Sequence, residues 1–584
     1  MLLSLLIIHI TLFAQMEGDQ WVLGYWSPSG TDQSVMYMDF RNGKLHIYKH
    51  AELKIQIAET VSNICDSIGE PILWTNGMQI MSQNGNSVAD TIAYDGANGQ
   101  WDSYYLQSYM MPFGFRYIDG AIILPVPDNP SDYSVLYSIS GTHPNTFYQA
   151  NQFLEARIHR TNNSEFELLY KDVPFGPQVN WFNYTISAVK HANGRDWWIV
   201  YFEENSPNYY ISVLSPDGIH FDHKGTIDAT IKAGYGQTVF SPHGNYLASL
   251  NEVSFTEGQI ITLCNFDRCS GDLIRLETIK TEVGLFTGVA FSPSEQFLYV
   301  DNNTSLWQWD LKSQNIIASQ TLVDTFDGFI QPGWFEMDFG PMVNGPDGKI
   351  YIVPAAGSSK YMHVIDQPDL PASECRFWQH YINLNYWNGR TAPNLPNFRL
   401  GPIDHSDCDT LGINNLPVSR WRKEQDIPGQ QSPIRFTDLS FYDPQIWHWD
   451  FDDDSPSSIP SPVHSFQPGL YHVCLTVSNE YASDSSCQWI NILPTGLKDD
   501  LDRTLPDIDI IPNPFKEYIS ITSRSETFRT ASLQLYDMHG SLVIDQPELT
   551  IPIKLYLPDF PPGIYLCNIK DEDGSVRSVK LMKE

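Results

Sequence analysis

Val239-Phe-Ser-Pro-His-Gly-Asn-Tyr-Leu-Ala248 reads as a short strand, a tight polar turn and the opening of a second strand. Val289-Ala-Phe-Ser-Pro-Ser-Glu-Gln-Phe-Leu-Tyr-Val300 repeats it 50 residues later. Weaker echoes stand at Leu214-Ser-Pro-Asp-Gly218 and Asn344-Gly-Pro-Asp-Gly-Lys-Ile-Tyr-Ile352. A theme with that period marks the four-stranded blade of a β-propeller, because one blade cannot bury both its faces until copies of it stand around a ring. Segmenting on the theme places blades near 61–100, 115–173, 183–230, 235–282, 286–326 and 338–382, with strands left over at 21–50. A ring of sheets is stable only when its ends close, so the leftover strands need partners, and Phe398–Ile403 is the stretch expected to complete that blade. The expectation is seven blades over 21–411, with six or eight as alternatives.

Composition agrees with an all-β chain of several domains. There are 584 residues, enough for three or four domains of ordinary size, and the 38 Gly and 39 Pro punctuate the chain too often for long helices. Lys and Arg number 35 against 69 Asp and Glu, a net charge of −34, which repels phosphate backbones and argues against nucleic-acid partners. With 42% hydrophobic residues the acidity belongs to the surface of a folded protein and not to a disordered one.

After Gly412 the pattern changes to half-buried strands that alternate apolar and polar residues: Arg435-Phe-Thr-Asp-Leu-Ser440, Trp447-His-Trp-Asp-Phe451 and Tyr471-His-Val-Cys-Leu-Thr-Val-Ser-Asn479. Residues 413–494 are enough for one β-sandwich. The stretch 495–506, with Asp499, Asp500 and Asp502, reads as a solvated linker, and 507–584 returns to strands as a second small sandwich.

Three sets of motifs carry resemblances. Trp449-Asp-Phe451, Pro462-Val-His-Ser-Phe466 and Tyr471–Asn479 resemble the polycystic kidney disease (PKD) type of sandwich domain. Pro512-Asn-Pro-Phe515, Leu535-Tyr-Asp-Met-His-Gly540, Gly563-Ile-Tyr-Leu566 and Lys580-Leu-Met-Lys583 resemble the C-terminal sorting domain of type IX secretion substrates, in which Pro512, Asn513, Pro514, Phe515, Gly540, Gly563 and Tyr565 would be the sorting motif. That resemblance implies a Gram-negative outer membrane, the type IX secretion machinery as a partner, and surface attachment or release. The repeats themselves are similar to WD-repeat-like propellers of secreted proteins, with His191-Ala-Asn-Gly-Arg-Asp-Trp-Trp198, Phe266-Asp-Arg-Cys-Ser-Gly271 and Leu395-Pro-Asn-Phe398 as the recognisable pieces, and this likeness implies no reaction.

The N-terminus fits export. Met1–Ala14 is nearly all apolar but too short to span a bilayer, so 1–15 reads as a secretory signal, and no other run suggests a transmembrane segment. In an oxidising compartment the 8 cysteines are candidates for disulfides. Cys264 and Cys269 flank four residues that a hairpin would bridge, and Cys474 and Cys487 lie on two strand-like runs joined by a polar turn. No Cys/His spacing suggests zinc.

Chemistry is harder to read. His191, Arg195, Asp196 and Trp197 gather charge and aromatic surface beside an Asn-Gly turn and are the candidate ligand-binding residues, although a hairpin followed by blade tryptophans is the simpler reading. Asp450, Asp452 and Asp454 place carboxylates at alternate positions, as calcium would need, but the Gly and the twelfth-position Glu of an EF-hand are missing, and a solvated acidic turn is the alternative. No other cofactor is expected. Trp101, Tyr104, Tyr105, Trp307 and Trp309 are available to stack on sugars, with the propeller core as their more ordinary fate. No H-E-x-x-H, G-x-S-x-G, P-loop or G-x-G-x-x-G in a strand-to-helix setting occurs. The sequence therefore favours an exported, non-catalytic binding or adhesion protein with an extracellular polysaccharide or protein ligand. A propeller hydrolase or lyase is the alternative.

Overall fold

The structure is a computed structural model that describes residues 16–583 apart from a set of stretches, chiefly 26–34, 50–56, 93–117, 180–184, 426–432, 493–507, 512–515, 524–528 and 537–541. The stretch 1–15 expected to be a secretory signal, the opening Pro512–Phe515 of the expected sorting motif, Gly540, Trp101, Tyr104 and Tyr105 lie outside the described residues.

Seven sheets of three or four strands follow one another along the first two thirds of the chain, with a two-stranded pair (Ile330–Gln331 and Phe335–Glu336) between the sixth and the seventh, and in each the strands are antiparallel and hydrogen-bonded in sequence order. Among the described residues blade 1 has three strands (Gln20–Gly24, Val35–Asp39, His46–Lys49). The other six have four each, opening with Ser62–Cys65, Ala121–Val126, Ser187–Lys190, Thr238–Phe240, Val289–Phe291 and Met342–Asn344 as the first strands of blades 2 to 7. These first strands are short and largely buried because they stand innermost, between neighbouring blades.

The ring closes by packing and not by a shared sheet. On the first strand of blade 1, Trp21 and Leu23 face Tyr351, Val353 and Met362 of blade 7, while Val22 between them faces Trp74 and Met81 of blade 2. The period of two that sends alternate side chains to opposite faces thus joins the last blade to the second through the first. Phe398–Ile403 does not complete blade 1 as expected. The chain that reaches the edge of blade 1 is Gly389–Thr391: Gly389 N–H donates to Gly24 O (2.7 Å) and Gly24 N–H to Thr391 Oγ1 (3.2 Å). Among the described residues no fourth strand pairs with this sheet.

The quoted repeat is the turn between the first and second strands. In blades 2, 4, 5, 6 and 7 the first turn residue donates N–H to the fifth or sixth and accepts from the fourth, over Asp66–Glu70, His191–Asp196, Ser241–Tyr246, Ser292–Phe297 and Gly345–Lys349. The fourth residue needs positive φ and is glycine in four copies (Gly69, Gly194, Gly244, Gly348). In blade 6 it is Glu295 at φ 58°, whose carboxylate accepts from His243 N–H and Asn245 Nδ2, both at 2.7 Å, on the neighbouring blade's turn. The echo Leu214–Gly218 is a different turn, between the third and fourth strands of blade 4.

Beyond the ring, Trp421–Gln425, Ile434–Asp438 and Val463–His464 form one sheet and Ile446–Asp450, Gly469–Ser478 and Ser483–Ile492 another. They pack face to face around Trp421, Phe436, Trp449, Phe451, Val473 and Leu475. The C-terminal unit is a second pair of sheets, three-stranded and four-stranded, closed over Ile521, Leu533, Leu535, Cys567 and Ile569.

Of the two expected disulfides the structure has one. Cys474 and Cys487 are direct cross-strand partners and are bonded, with Cα atoms 4.1 Å apart. Cys264 is not bonded to Cys269. It lies fully buried on the third strand of blade 5, among Val200, Ile211 and Leu247, whereas Cys269 sits in the turn beyond that strand and bonds Cys408. A local pairing would need the core-facing Cys264 to leave the blade interface, so Cys269 takes a partner 139 residues away.

Candidate functional site

The four residues expected to bind a ligand are brought together, but the protein itself occupies the space beside them. His191, Asn193, Gly194, Arg195 and Asp196 form the first turn of blade 4. Arg195 Nε donates to Asp196 Oδ1 (2.8 Å) and its Nη1 to Asp128 Oδ2 (3.0 Å), while Asn193 N–H donates to His191 Nδ1 (2.9 Å). The His191 ring stacks on Trp198 (4.6 Å), and burial pulls the imidazole below its usual range. Trp197 is core, with Lys190 Nζ 3.7 Å from its ring centre, and Trp309 is likewise buried. A methyl group on Gly194 would stand 2.7 Å from Pro402, so the bare glycine is the seat of the segment that follows blade 7.

That segment threads the ring. Asn394 N–H donates to Val61 O and its side-chain Nδ2 to Ala121 O and Ile186 O, joining blades 2, 3 and 4. Further along, Asn397 Nδ2 donates to Pro242 O, Arg399 Nη1 to Pro346 O, and Phe398 packs on Trp197. Arg268, buried in blade 5, donates to Lys190 O (2.8 Å) and to Gly401 O (2.6 Å). At the end of this run Arg399 and Arg420 both grip Asp19, which has no exposed surface. Burial pushes the Glu17 carboxyl up to about 7 and the Lys190 ammonium down to about 7.

The sandwich then covers the same face. Along Trp421–Gln425, Trp421 turns into the sandwich core while Arg420, Arg422 and Glu424 turn to the propeller. Arg422 Nε donates to Asp347 O (2.6 Å), Arg420 Nη2 to Phe40 O (3.3 Å), and Lys349 pairs with Glu424.

The other mouth is different. Because strand direction alternates, it is lined by the approaches to the first strands and the far ends of the second strands. Glu59, Glu252, Asp301 and Asp338 converge there around Arg390. The Arg390 guanidinium lies 3.6 Å from the Phe286 ring centre and pairs with Glu59 (3.2 Å), and Gly357 leaves it room. Tyr235 OH donates to Glu59 Oε2 (2.6 Å). Glu252 Oε1 accepts from Thr287 N–H (2.8 Å) and Oγ1 (2.9 Å), and Asp301 accepts from Gly288 N–H and Asn303 N–H. Burial raises the Glu252 carboxyl to about 7 and Asp338 to about 6, and holds Asp301 well above its usual range. Arg390 Nε and Nη1 and Asp338 Oδ1 are buried and have no hydrogen-bond partner among the described residues. This array offers donors and protonatable acceptors to a polar ligand. The residues come from five separate places in the chain and none stands in a motif, so no local signal could have found them.

The alternating aspartates do not converge. Asp450 Oδ1 accepts from Asp452 N–H (2.9 Å), Asp452 Oδ2 from His472 N–H (3.0 Å), and Asp453 pairs with His464 (2.8 Å). Asp452 and Asp454 carry positive φ, supplying the turn that glycine usually supplies. Among the described residues the one trio of suitable side chains within 4.8 Å is His472, Cys474 and Cys487, where the two sulfurs are already bonded to each other.

Residues 414–492 match the PKD domain family, and residues 509–584 match the secretion system C-terminal sorting domain. The chain carries an export address. It is a type IX secretion substrate of the cell surface or extracellular space. Within the sorting domain Tyr565 is buried, donates to Pro561 O (2.8 Å) and meets Phe560 edge to face, and Gly563 begins the strand Gly563–Asp571. No curated protein matches the chain. Among solved structures it is similar to the first PKD domain of the Vibrio cholerae metalloprotease PrtV (27% identity, 14% of this chain and 99% of that one, TM-score 0.12). It is also similar to a Lactobacillus plantarum protein (12%, 65% and 97%, 0.36) and to a putative 6-phosphogluconolactonase from Bacteroides uniformis (10%, 73% and 100%, 0.28). Among the described residues no helix is long and apolar enough to cross a membrane.

Proposed function

We propose that this is an exported, non-catalytic recognition protein. Its propeller (21–411) engages an extracellular polysaccharide or protein at the mouth around Arg390, its PKD domain (413–494) braces the opposite face, and 507–584 serves delivery. One observation carries the reading: Asn394–Gly401 of the chain itself fills the ring and its turn-side mouth, so among the described residues the opposite central face, around Arg390, is the one left to a partner. On that face Glu252, Asp301 and Glu59 are held as acceptors by backbone amides, hydroxyls and Arg390, which suits fixed recognition better than proton transfer.

A hydrolase or lyase acting on polymers is the second reading. It is favoured by the unpartnered Asp338 Oδ1 and Arg390 donors beside a Glu252 that titrates at about 7. The full chain tested against immobilised polysaccharides and matrix proteins should bind one of them, with binding lost in Arg390→Ala and no product formed. Turnover that Asp338→Asn or Glu252→Gln abolishes would overturn the non-catalytic reading in favour of the second.

A further inference from the structure

A separate cavity of about 260 Å³ opens at the seam where the PKD domain rests on blade 7. It lies on the turn side, across the ring from the Arg390 mouth. Blade 7 supplies Asp347, Lys349 and Tyr381, and the first PKD strand supplies Arg422, Lys423 and Glu424, so the cavity exists only while the two domains are docked.

Its charges cancel. Lys349 Nζ pairs with Asp366 (2.6 Å) and with Glu424, and Arg422 Nη1 pairs with Glu424 Oε2 (2.5 Å). Asp347 Oδ2 accepts from Tyr351 OH (2.9 Å). Lys349, Arg422 and Lys423 line the cavity with Asp347 and Glu424, and Asp366 behind the lining neutralises Lys349, so neither an anion nor a cation gains net Coulomb attraction. What remains is a dense alternation of fixed donors and acceptors, the arrangement that recognises a neutral molecule with many hydroxyl groups.

The rim adds a second feature. Tyr381 is 66% exposed and Trp378 is 48% exposed on the outer strand Phe377–Asn388, with ring centres 6.3 Å apart and planes within 31°. Large aromatics left in solvent beside a polar cavity provide flat apolar surface, which the C–H face of a pyranose covers while its hydroxyls reach the charged wall. The volume sits just below the roughly 300–1,000 Å³ of sites for larger ligands, which suits one ring.

We infer that the seam cavity formed by Asp347, Lys349, Arg422 and Glu424, with Tyr381 at its rim, is a binding site for a neutral hexopyranose unit of an extracellular glycan. It is independent of the Arg390 mouth.

The test is calorimetric titration of the full chain with maltotriose, mannotriose and tri-N-acetylchitotriose, with a sulfated heparin disaccharide as the charged comparison. At least one neutral trisaccharide should bind with a dissociation constant on the order of 1 mM or tighter. Tyr381→Ala, at an exposed side chain, should weaken it about tenfold, Glu424→Gln should weaken it as well, and Arg390→Ala should leave it unchanged. Absence of binding by all three neutral sugars, preference for the sulfated one, or affinity unmoved by Tyr381→Ala would each overturn the assignment. Loss of binding in Arg390→Ala would place the sugar at the mouth instead, and would equally refute it.

Discussion

Replacing Asp19 by asparagine tests whether the sandwich and the propeller are one mechanical unit. The Asp19 carboxylate has no exposed surface, accepts from Arg420 Nη1 with both oxygens (3.0 and 2.7 Å), and pairs with Arg399. In the variant each guanidinium keeps one carbonyl, Arg399 at Pro346 O and Arg420 at Phe40 O, but two adjacent buried cations lose the anion they share. Breaking a buried ion pair by removing one partner costs about 3–5 kcal/mol. For a unit as large as this propeller, at about 2 °C per kcal/mol, that is a fall of roughly 6–10 °C in Tm. Scanning calorimetry on the full chain measures it. Arg420→Ala should cost less, about 1.5–3 kcal/mol, because Arg399 still covers the carboxylate. The Asp19→Asn/Arg420→Ala double variant should then lose less than the sum of the singles by at least about 1 kcal/mol. A Tm for Asp19→Asn within about 1 °C of the parent, or singles that add to within about 0.5 kcal/mol, would refute the reasoning.

Other outcomes follow from the same geometry. Glu17, Asp119 and Glu252 titrate at about 7 and Asp338 at about 6 because burial disfavours their charged forms, so the folded chain holds more protons than the unfolded one between their ordinary values and these. Stability should therefore fall from pH 5 to pH 7. His363, held down at about 3, opposes the trend below 6.5, and Lys190, at about 7, opposes it above 7; a Tm that climbs steadily from pH 5 to 7 would count against the buried-carboxylate account. Reducing Cys474–Cys487, which spans 13 residues, should cost the sandwich about 3 kcal/mol in the chain-entropy account, and Cys269–Cys408, spanning 139, about 5 kcal/mol for the run that crosses the ring. Equal Tm with and without reductant would contradict both. Glu295→Gly should destabilise by about 1 kcal/mol or more, since relief of the φ 58° backbone returns about 1–2 kcal/mol while two charged hydrogen bonds to the next blade's turn are lost, and a rise in Tm would reverse that balance.

Much of this architecture is legible in one dimension. The 50-residue repeat, the Trp-Asp-Phe and Tyr471–Asn479 runs and the terminal strand motifs each record a local rule: a turn that needs positive φ, a strand that alternates, a core position that takes an aromatic ring. Such rules act between residues a few positions apart, so blades, sandwich and sorting domain could be read in order, and Cys474–Cys487 could be paired across a single hairpin. The tertiary structure alone decided what fills the ring. Gly389–Ile403 forms no strand, because its polar groups are satisfied by carbonyls on six blades and not by a neighbouring strand. Cys269 finds Cys408, Asp19 finds Arg420, and Glu59, Glu252, Asp301 and Asp338 gather around Arg390 only because closing the ring brings its distant connections to one axis. The physical reason is loop closure: these contacts form after the blades are in place, between residues that no local preference holds near each other, and a sequence records such a meeting only as unremarkable charges set far apart.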